Sequence, residues 1–199
     1  MSDASGTCAC ASKCMLRNLA IFFVLTVINA LLVRYGELFK PGEFGLSGLY
    51  LAVGFMIAFG LWFGLWGALA ACSGYLLGAL VPADVPAAVL LFIGLADFLQ
   101  VLIPVVAFQL FAADPGLSTR RDLLIYLAFG WFLNNLVGAL IGSGSLLLVG
   151  IIQPDLFLAS FSGWLVGNLI VTFVVTTVLL KLGTPLVRRR GIMVERCWC

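Results

Sequence analysis

The sequence predicts an all-α, polytopic membrane protein of six transmembrane helices with both termini in the cytoplasm. Three observations predict it. The 199 residues are 63% hydrophobic and 10% charged, with a mean hydropathy of +1.17, whereas water-soluble domains run about 45–50% apolar and about 25% charged. The apolar runs do not alternate with polar residues as barrel strands would. At roughly 20 residues per crossing of a roughly 30 Å hydrocarbon layer, the chain supplies six helices with short loops. The third observation is the placement of the basic residues between those runs.

The first span runs from about Asn18 to Val33, between Arg17 and Arg34. The adjoining segment, Arg34-Tyr-Gly-Glu37, has no small-x-small cleavage site, so the span reads as a permanent helix and not a cleavable signal peptide. The stretch from Phe44 to Val81 is too long for one crossing and divides near Gly60–Gly64 into two helices joined by a very tight turn. The fourth span is about Ala87 to Ala112, after Pro82-Ala-Asp-Val-Pro86; the fifth is about Leu123 to Leu148. The sixth, about Leu158 to Leu182, comes after the turn Gln153-Pro-Asp155.

This division places nine basic residues (Lys13, Arg17, Arg120, Arg121, Lys181, Arg188, Arg189, Arg190 and Arg196) on one side, and two, Arg34 and Lys40, on the other. By the positive-inside rule the nine are cytoplasmic. Fusing Phe44–Val81 into one tilted helix would leave an odd number of spans and spoil that agreement. The chain thus divides into a Cys-containing cytoplasmic tail (1–17), a six-helix transmembrane domain (18–182) and a basic, Cys-containing cytoplasmic tail (183–199), in a plasma membrane. Small residues recur at packing distance: Gly60 with Gly64, Gly67 with Ala71, Gly74 with Gly78, Gly138 with Gly142, Gly163 with Gly167. Such pairs let helix backbones approach closely in lipid, so they point to a compact bundle.

Composition also excludes functions. A net charge of +2 supports no basic groove for nucleic acid. The absence of histidine removes the commonest metal ligand and general base. With no Gly-x-Ser-x-Gly and no nucleotide loop, the chain reads as a non-enzyme.

Polar side chains inside a membrane helix are costly and by default mark function. Asp97 lies about eleven residues from the outer loop, roughly 16 Å deep, and no Lys or Arg occupies a span interior to pair with it. Asn29, Asn134, Asn135 and Asn168 fall at a similar depth on three other spans. Asp97 and Gln100 share a face of the fourth span, Asn135 and Gly138 one of the fifth, and Trp164 and Asn168 one of the sixth. Converging, they make a small polar ligand pocket with an aromatic wall; the alternative is that the amides only hydrogen-bond across helices. An unpaired Asp97 suits a proton-coupled or pH-responsive role. Gly142-Ser-Gly-Ser145 reads either as a packed helix end or as a source of exposed backbone donors.

Five of the six cysteines lie in the tails: Cys8, Cys10, Cys14, Cys197 and Cys199. In a reducing compartment they are thiols, not disulfides. Together they offer ligands for zinc or an iron–sulfur cluster, although the spacing matches no standard finger. Lipidation near the membrane and inert surface thiols are the other readings. Cys72, inside the third span, is a packing residue.

From Leu49 to about Leu180 the chain resembles the MASE1 family of integral membrane sensor domains. The resemblance rests on Gly60-Leu-Trp-Phe-Gly-Leu-Trp-Gly-Ala-Leu-Ala70, on Asn134-Asn-Leu-Val-Gly138 with Ser145-Leu-Leu-Leu-Val-Gly150, and on Ser162-Gly-Trp-Leu-Val-Gly-Asn168. The last is similar to the family's Trp-x-x-Gly-Asp pattern, with Asn168 in place of the acid and Thr176-Thr177 where Thr-Pro is usual. The resemblance implies a small-ligand-binding or sensory membrane module that acts through partner proteins. Members usually have more spans and feed a cytoplasmic output domain; here the expectation is a module without its own output domain. By size and topology the chain also resembles the substrate-binding S components of energy-coupling-factor vitamin transporters. That would make Arg34–Glu43 an outer gate and the small-residue faces a dock for a membrane partner. A third expectation is an accessory subunit that scaffolds a larger membrane complex.

Overall fold

The computed structural model describes residues 4–38, 48–80 and 86–194, with side chains described from Met15 onward except at 37 and 38. Among the described residues the chain forms six helices: α1 (Ala4–Tyr35), α2 (Leu51–Phe63), α3 (Leu65–Ala79), α4 (Ala87–Leu110), α5 (Arg120–Leu148) and α6 (Pro154–Arg189). A two-residue antiparallel ladder, β1 (Glu37–Leu38) with β2 (Leu49–Tyr50), closes the connection between α1 and α2.

Four helices, α1, α4, α5 and α6, are long and apolar enough to cross a membrane. The six expected spans correspond to six helices, but α2 and α3 have only 13 and 15 residues. They extend roughly 20 and 22 Å, short of a roughly 30 Å core. Length matters less for α2 because it is sheathed by protein: eleven of its residues are buried, and it touches α1, α3, α4 and α6. The expected division at Gly60–Gly64 is a single-residue turn. Gly64 at φ 59° reverses the chain, a conformation that favours glycine. Gly67 lets the returning helix lie on the Phe59 carbonyl, which a Cβ would approach to 2.5 Å.

Other small residues serve the expected packing. Gly60 faces Val101 of α4, Gly74 and Gly78 face Asn29, Ala30 and Val33 of α1, and Gly142 faces Trp164 of α6. The segment Gly142–Ser145 is helical within α5, with Ser145 Oγ donating to the Gly142 carbonyl at 2.7 Å.

Two wide π turns interrupt the long helices, at Tyr126–Leu133 in α5 and at Thr172–Thr176 in α6. Such turns spoil the regular helical ladder and are common at functional positions. Here they face each other. The Tyr126 hydroxyl donates to the Thr172 carbonyl at 2.6 Å, Trp131 Nε1 donates to the Leu169 carbonyl at 2.9 Å, and Thr176 Oγ1 donates to the Gly54 carbonyl of α2 at 2.9 Å.

Polarity is distributed inside out. Leu110 and Leu148 are 76% and 79% exposed, while Asn134 and Asn135 are wholly buried. A belt of exposed leucine, valine and phenylalanine around buried amides is the distribution expected of a protein solvated by hydrocarbon.

The described parts of both expected tails take part in the fold. Residues 4–17 continue the helix of the first span, so α1 has 32 residues. At the other terminus α6 runs to Arg189, Gly191 at φ 62° ends it, and the chain folds back. Val194 N then donates to the Trp62 carbonyl at 2.8 Å and Arg17 Nη1 donates to the Gly191 carbonyl at 3.3 Å. The physical reason is apolar: Val194 is buried, and Ile192 and Met193 pack on the core.

Candidate functional site

The polar side chains expected at mid-depth do not form one ring; they divide between two seams. The larger seam lies where α4, α5 and α6 meet. Gln100 Nε2 of α4 donates to Asn135 Oδ1 of α5 at 3.2 Å. Asn135 Nδ2 donates to Thr172 Oγ1 of α6 at 2.8 Å and to the Trp131 carbonyl at 2.6 Å. Thr172 Oγ1 in turn donates to the Asn168 carbonyl at 2.7 Å. Three helices are therefore joined by an unbroken side-chain relay, and all four of Gln100, Asn135, Asn168 and Thr172 are buried.

Two glycines make the seam possible. A Cβ at Gly138 would fall on the Gln100 amide, so the missing side chain is the space that amide occupies. At Gly142 the Trp164 ring lies close enough to the backbone that a Cβ would come within 2.6 Å of it. Trp164, Asn168 and Thr172 are four apart on α6, as Gly142, Gly138 and Asn134 are on α5, so each set forms one stripe. With Trp164 on Gly142 and Thr172 on Asn135, Asn168 is held at the level of Gly138, where Gln100 enters.

Around this relay lie polar atoms that nothing in the described chain satisfies. Both amide atoms of Asn134 and both of Asn168 lack a hydrogen-bond partner, and the residues are 0% and 1% exposed. Asp97, three residues before Gln100 on α4 and 3% exposed, leaves Oδ2 without a partner. It lies toward α3, within electrostatic reach of Cys72 and Tyr75, and no Lys or Arg pairs with it among the described residues.

Asn29 belongs to the second seam, between α1 and α3. Its Nδ2 donates to the Ala71 carbonyl at 2.9 Å, its Cβ rests on Gly74, and its Oδ1 and the nearby Thr26 Oγ1 have no partner. The relay thus gathers Gln100, Asn135, Asn168 and, beside them, Asn134 and Trp164, with Asp97 one turn away. Sequence reasoning missed Thr172 and Thr176. The four-residue spacing Asn168-Thr172-Thr176 was a readable signal; the parts played by Tyr126 and Trp131 depend on the π turns and had none.

At the end of the bundle that carries Arg17, the α4–α5 connection is a built element of its own. Asp114 accepts from Gly116 N at 2.9 Å, from Ser118 Oγ and from Arg188 of α6. Asp122 caps α5 with Thr119 and also accepts from Asp114 N at 3.1 Å. Lys181 Nζ donates to the Leu117 carbonyl at 2.6 Å. Burial alone would raise the Asp114 carboxyl, but the hydrogen bonds from Ser118 and Gly116 and the Arg188 guanidinium hold it below the ordinary carboxylate value. Beside this connection a cavity of about 580 Å³ opens between Gly60, Gly64, Phe108, Gln109, Pro115 and Val194.

The metal ligands expected at the termini cannot be assembled from the described residues. The backbones of Cys8, Cys10 and Cys14 lie in α1; their side chains, and Cys197 and Cys199, lie outside the described residues. Among the described residues no group of three metal-ligating side chains occurs. Cys72 is a free, half-buried thiol of α3.

Compared with protein-family models, with curated proteins and with solved structures, the chain matches none, and neither the sensor-domain resemblance nor the transporter-component resemblance gains support from them.

Proposed function

We propose that this chain is an integral membrane module that binds a small polar ligand at the junction of α4, α5 and α6 and acts through partner proteins, its basic end in the cytoplasm. One observation carries the reading: unpartnered polar atoms of Asp97, Asn134 and Asn168 beside a fully bonded relay. A buried polar group without a partner costs about 1–3 kcal/mol by protein mutational data, against a total stability of about 5–15 kcal/mol for a whole domain. Four such atoms, on Asn134 and Asn168, lie at this junction, with Asp97 Oδ2 one turn from Gln100 toward α3, and together they are a burden on folding that a bound polar ligand relieves. The carboxylate and amides supply acceptors and donors for it, and the Trp164 ring supplies an apolar wall.

A sensory role fits this arrangement better than capture for uptake by a docked membrane partner. Three of the small-residue positions that such docking would use are filled from within the chain, by Val101 on Gly60, Asn29 on Gly74 and Trp164 on Gly142.

The test is native mass spectrometry of the protein purified in lipid nanodiscs. A small-molecule adduct at unit stoichiometry is expected for the wild type and is lost in Asn168→Leu and Asp97→Leu. An adduct that survives in both variants, or a wild type that carries none under mild extraction, would overturn the proposal.

A further inference from the structure

The lipid-facing side of α4 is not smooth. Leu99, Leu102, Val106, Leu110 and Phe111 line one side of a groove of about 410 Å³, and Phe129 of α5 lies on the other. From Leu99 to Phe111 the rise is roughly 18 Å, about the depth of one leaflet of a roughly 30 Å hydrocarbon layer. The lining is apolar throughout, and Val106 and Leu110 are open to the surroundings.

One end of this groove is charged. Phe111, stacked at a tilt on Phe129 with 5.7 Å between ring centroids, closes it. The Phe111 carbonyl accepts from Arg121 Nη2 at 2.6 Å, which pins that guanidinium at the mouth. The neighbouring acids are engaged elsewhere: Asp114 with Gly116, Ser118 and Arg188, and Asp122 with Thr119 and the Asp114 backbone. Arg121 at the start of α5 therefore stands over a leaflet-deep apolar channel, with Arg120 next to it in sequence.

We infer that this groove is a binding site for an anionic phospholipid, one acyl chain lying along α4 and the headgroup phosphate on Arg121 and Arg120. Guanidinium groups suit phosphate because their planar fork donates two parallel hydrogen bonds. A basic side chain near the membrane surface favours an anionic lipid about five-fold. The apolar channel alone would accept any acyl chain, so selectivity rests on the arginines and occupancy on the groove.

Native mass spectrometry in detergent tests this, with phosphatidylglycerol and phosphatidylcholine of identical acyl chains as the two probes. The wild type is expected to retain one phosphatidylglycerol at least about five-fold more often than phosphatidylcholine. Arg121→Gln should cut that preference about five-fold while keeping residual binding of both. Val106→Trp, which fills the groove from its lipid side, should lose both lipids, and Arg190→Gln, just past α6 at the same end of the bundle, should change nothing. Equal retention of the two lipids by the wild type would overturn the site. So would an unchanged preference in Arg121→Gln, or a loss in Arg190→Gln as large as that in Arg121→Gln, which would assign the effect to diffuse surface charge.

Discussion

Replacing Gly138 with alanine asks whether the relay depends on one missing side chain. The new Cβ would land on the carbon, nitrogen and oxygen of the Gln100 amide. That amide is the far end of a flexible side chain, so it can swing away, but only by abandoning Asn135 Oδ1, now 3.2 Å from it. A buried acceptor that loses its donor costs about 1–3 kcal/mol. Helix propensity acts in the opposite sense, favouring alanine over glycine by about 1 kcal/mol. Gly144 on the same helix isolates that second effect, because nothing lies within 4 Å of a Cβ there. Gly138→Ala should therefore be less stable than Gly144→Ala by about 1–3 kcal/mol, measured by denaturant unfolding of the detergent-solubilised protein. In a Gln100→Ala background, where the collision is gone, the gap should close. Equal stabilities of the two alanine variants would refute the reasoning, as would a gap that persists undiminished without Gln100.

Three further expectations use the same unfolding measurement. Asp97→Leu removes an unpartnered buried carboxylate and should raise stability by about 1–3 kcal/mol while abolishing the ligand adduct; a destabilised variant would show that Asp97 has a structural partner. Gly142→Ala drives a methyl into the Trp164 ring, an overpacking that costs about 1–3 kcal/mol and should change the tryptophan emission. Because the Asp114 carboxyl is held below its ordinary value, its contribution to stability is whole above about pH 4 and declines as pH falls through the lowered value. Asp114→Asn should accordingly flatten the acid limb of the stability profile, and an identical limb in both proteins would count against the Arg188 contact.

Much of this architecture was legible because it rests on local chemistry. Gly64 reads as a turn since a glycine between two apolar runs is the residue that tolerates φ 59°. The repeated glycines read as packing positions, and at Gly60, Gly74 and Gly142 they are filled by Val101, Asn29 and Trp164. The rise per residue sets an expected depth for each polar residue, but azimuth cannot be read from it. Asn29 and Asn135 are expected at similar depth, yet one faces α3 and the other α6, and that depends on how α1 and α5 are rotated about their axes. Rotation is set by tertiary packing and, in α5 and α6, by π turns that shift every later side chain around the helix. The relay's third member, Thr172, stands at such a turn.

The buried polar groups sort by whether the fold has a use for them. Asn135 makes bonds in three directions, to Gln100, Trp131 and Thr172, and so stitches helices together. Asn134, its neighbour in sequence and equally buried, makes none that the described chain supplies. A leucine at 134 would cost the bundle no hydrogen bond and would spare it the desolvation of an amide. The same holds for Asn168, whose backbone carbonyl serves Thr172 while its side chain serves nothing. An amide is kept in hydrocarbon either because the helices need it or because something else does. At Asn134 and Asn168 the helices do not, which is why the proposed ligand site centres on these two side chains and not on the fully bonded Asn135.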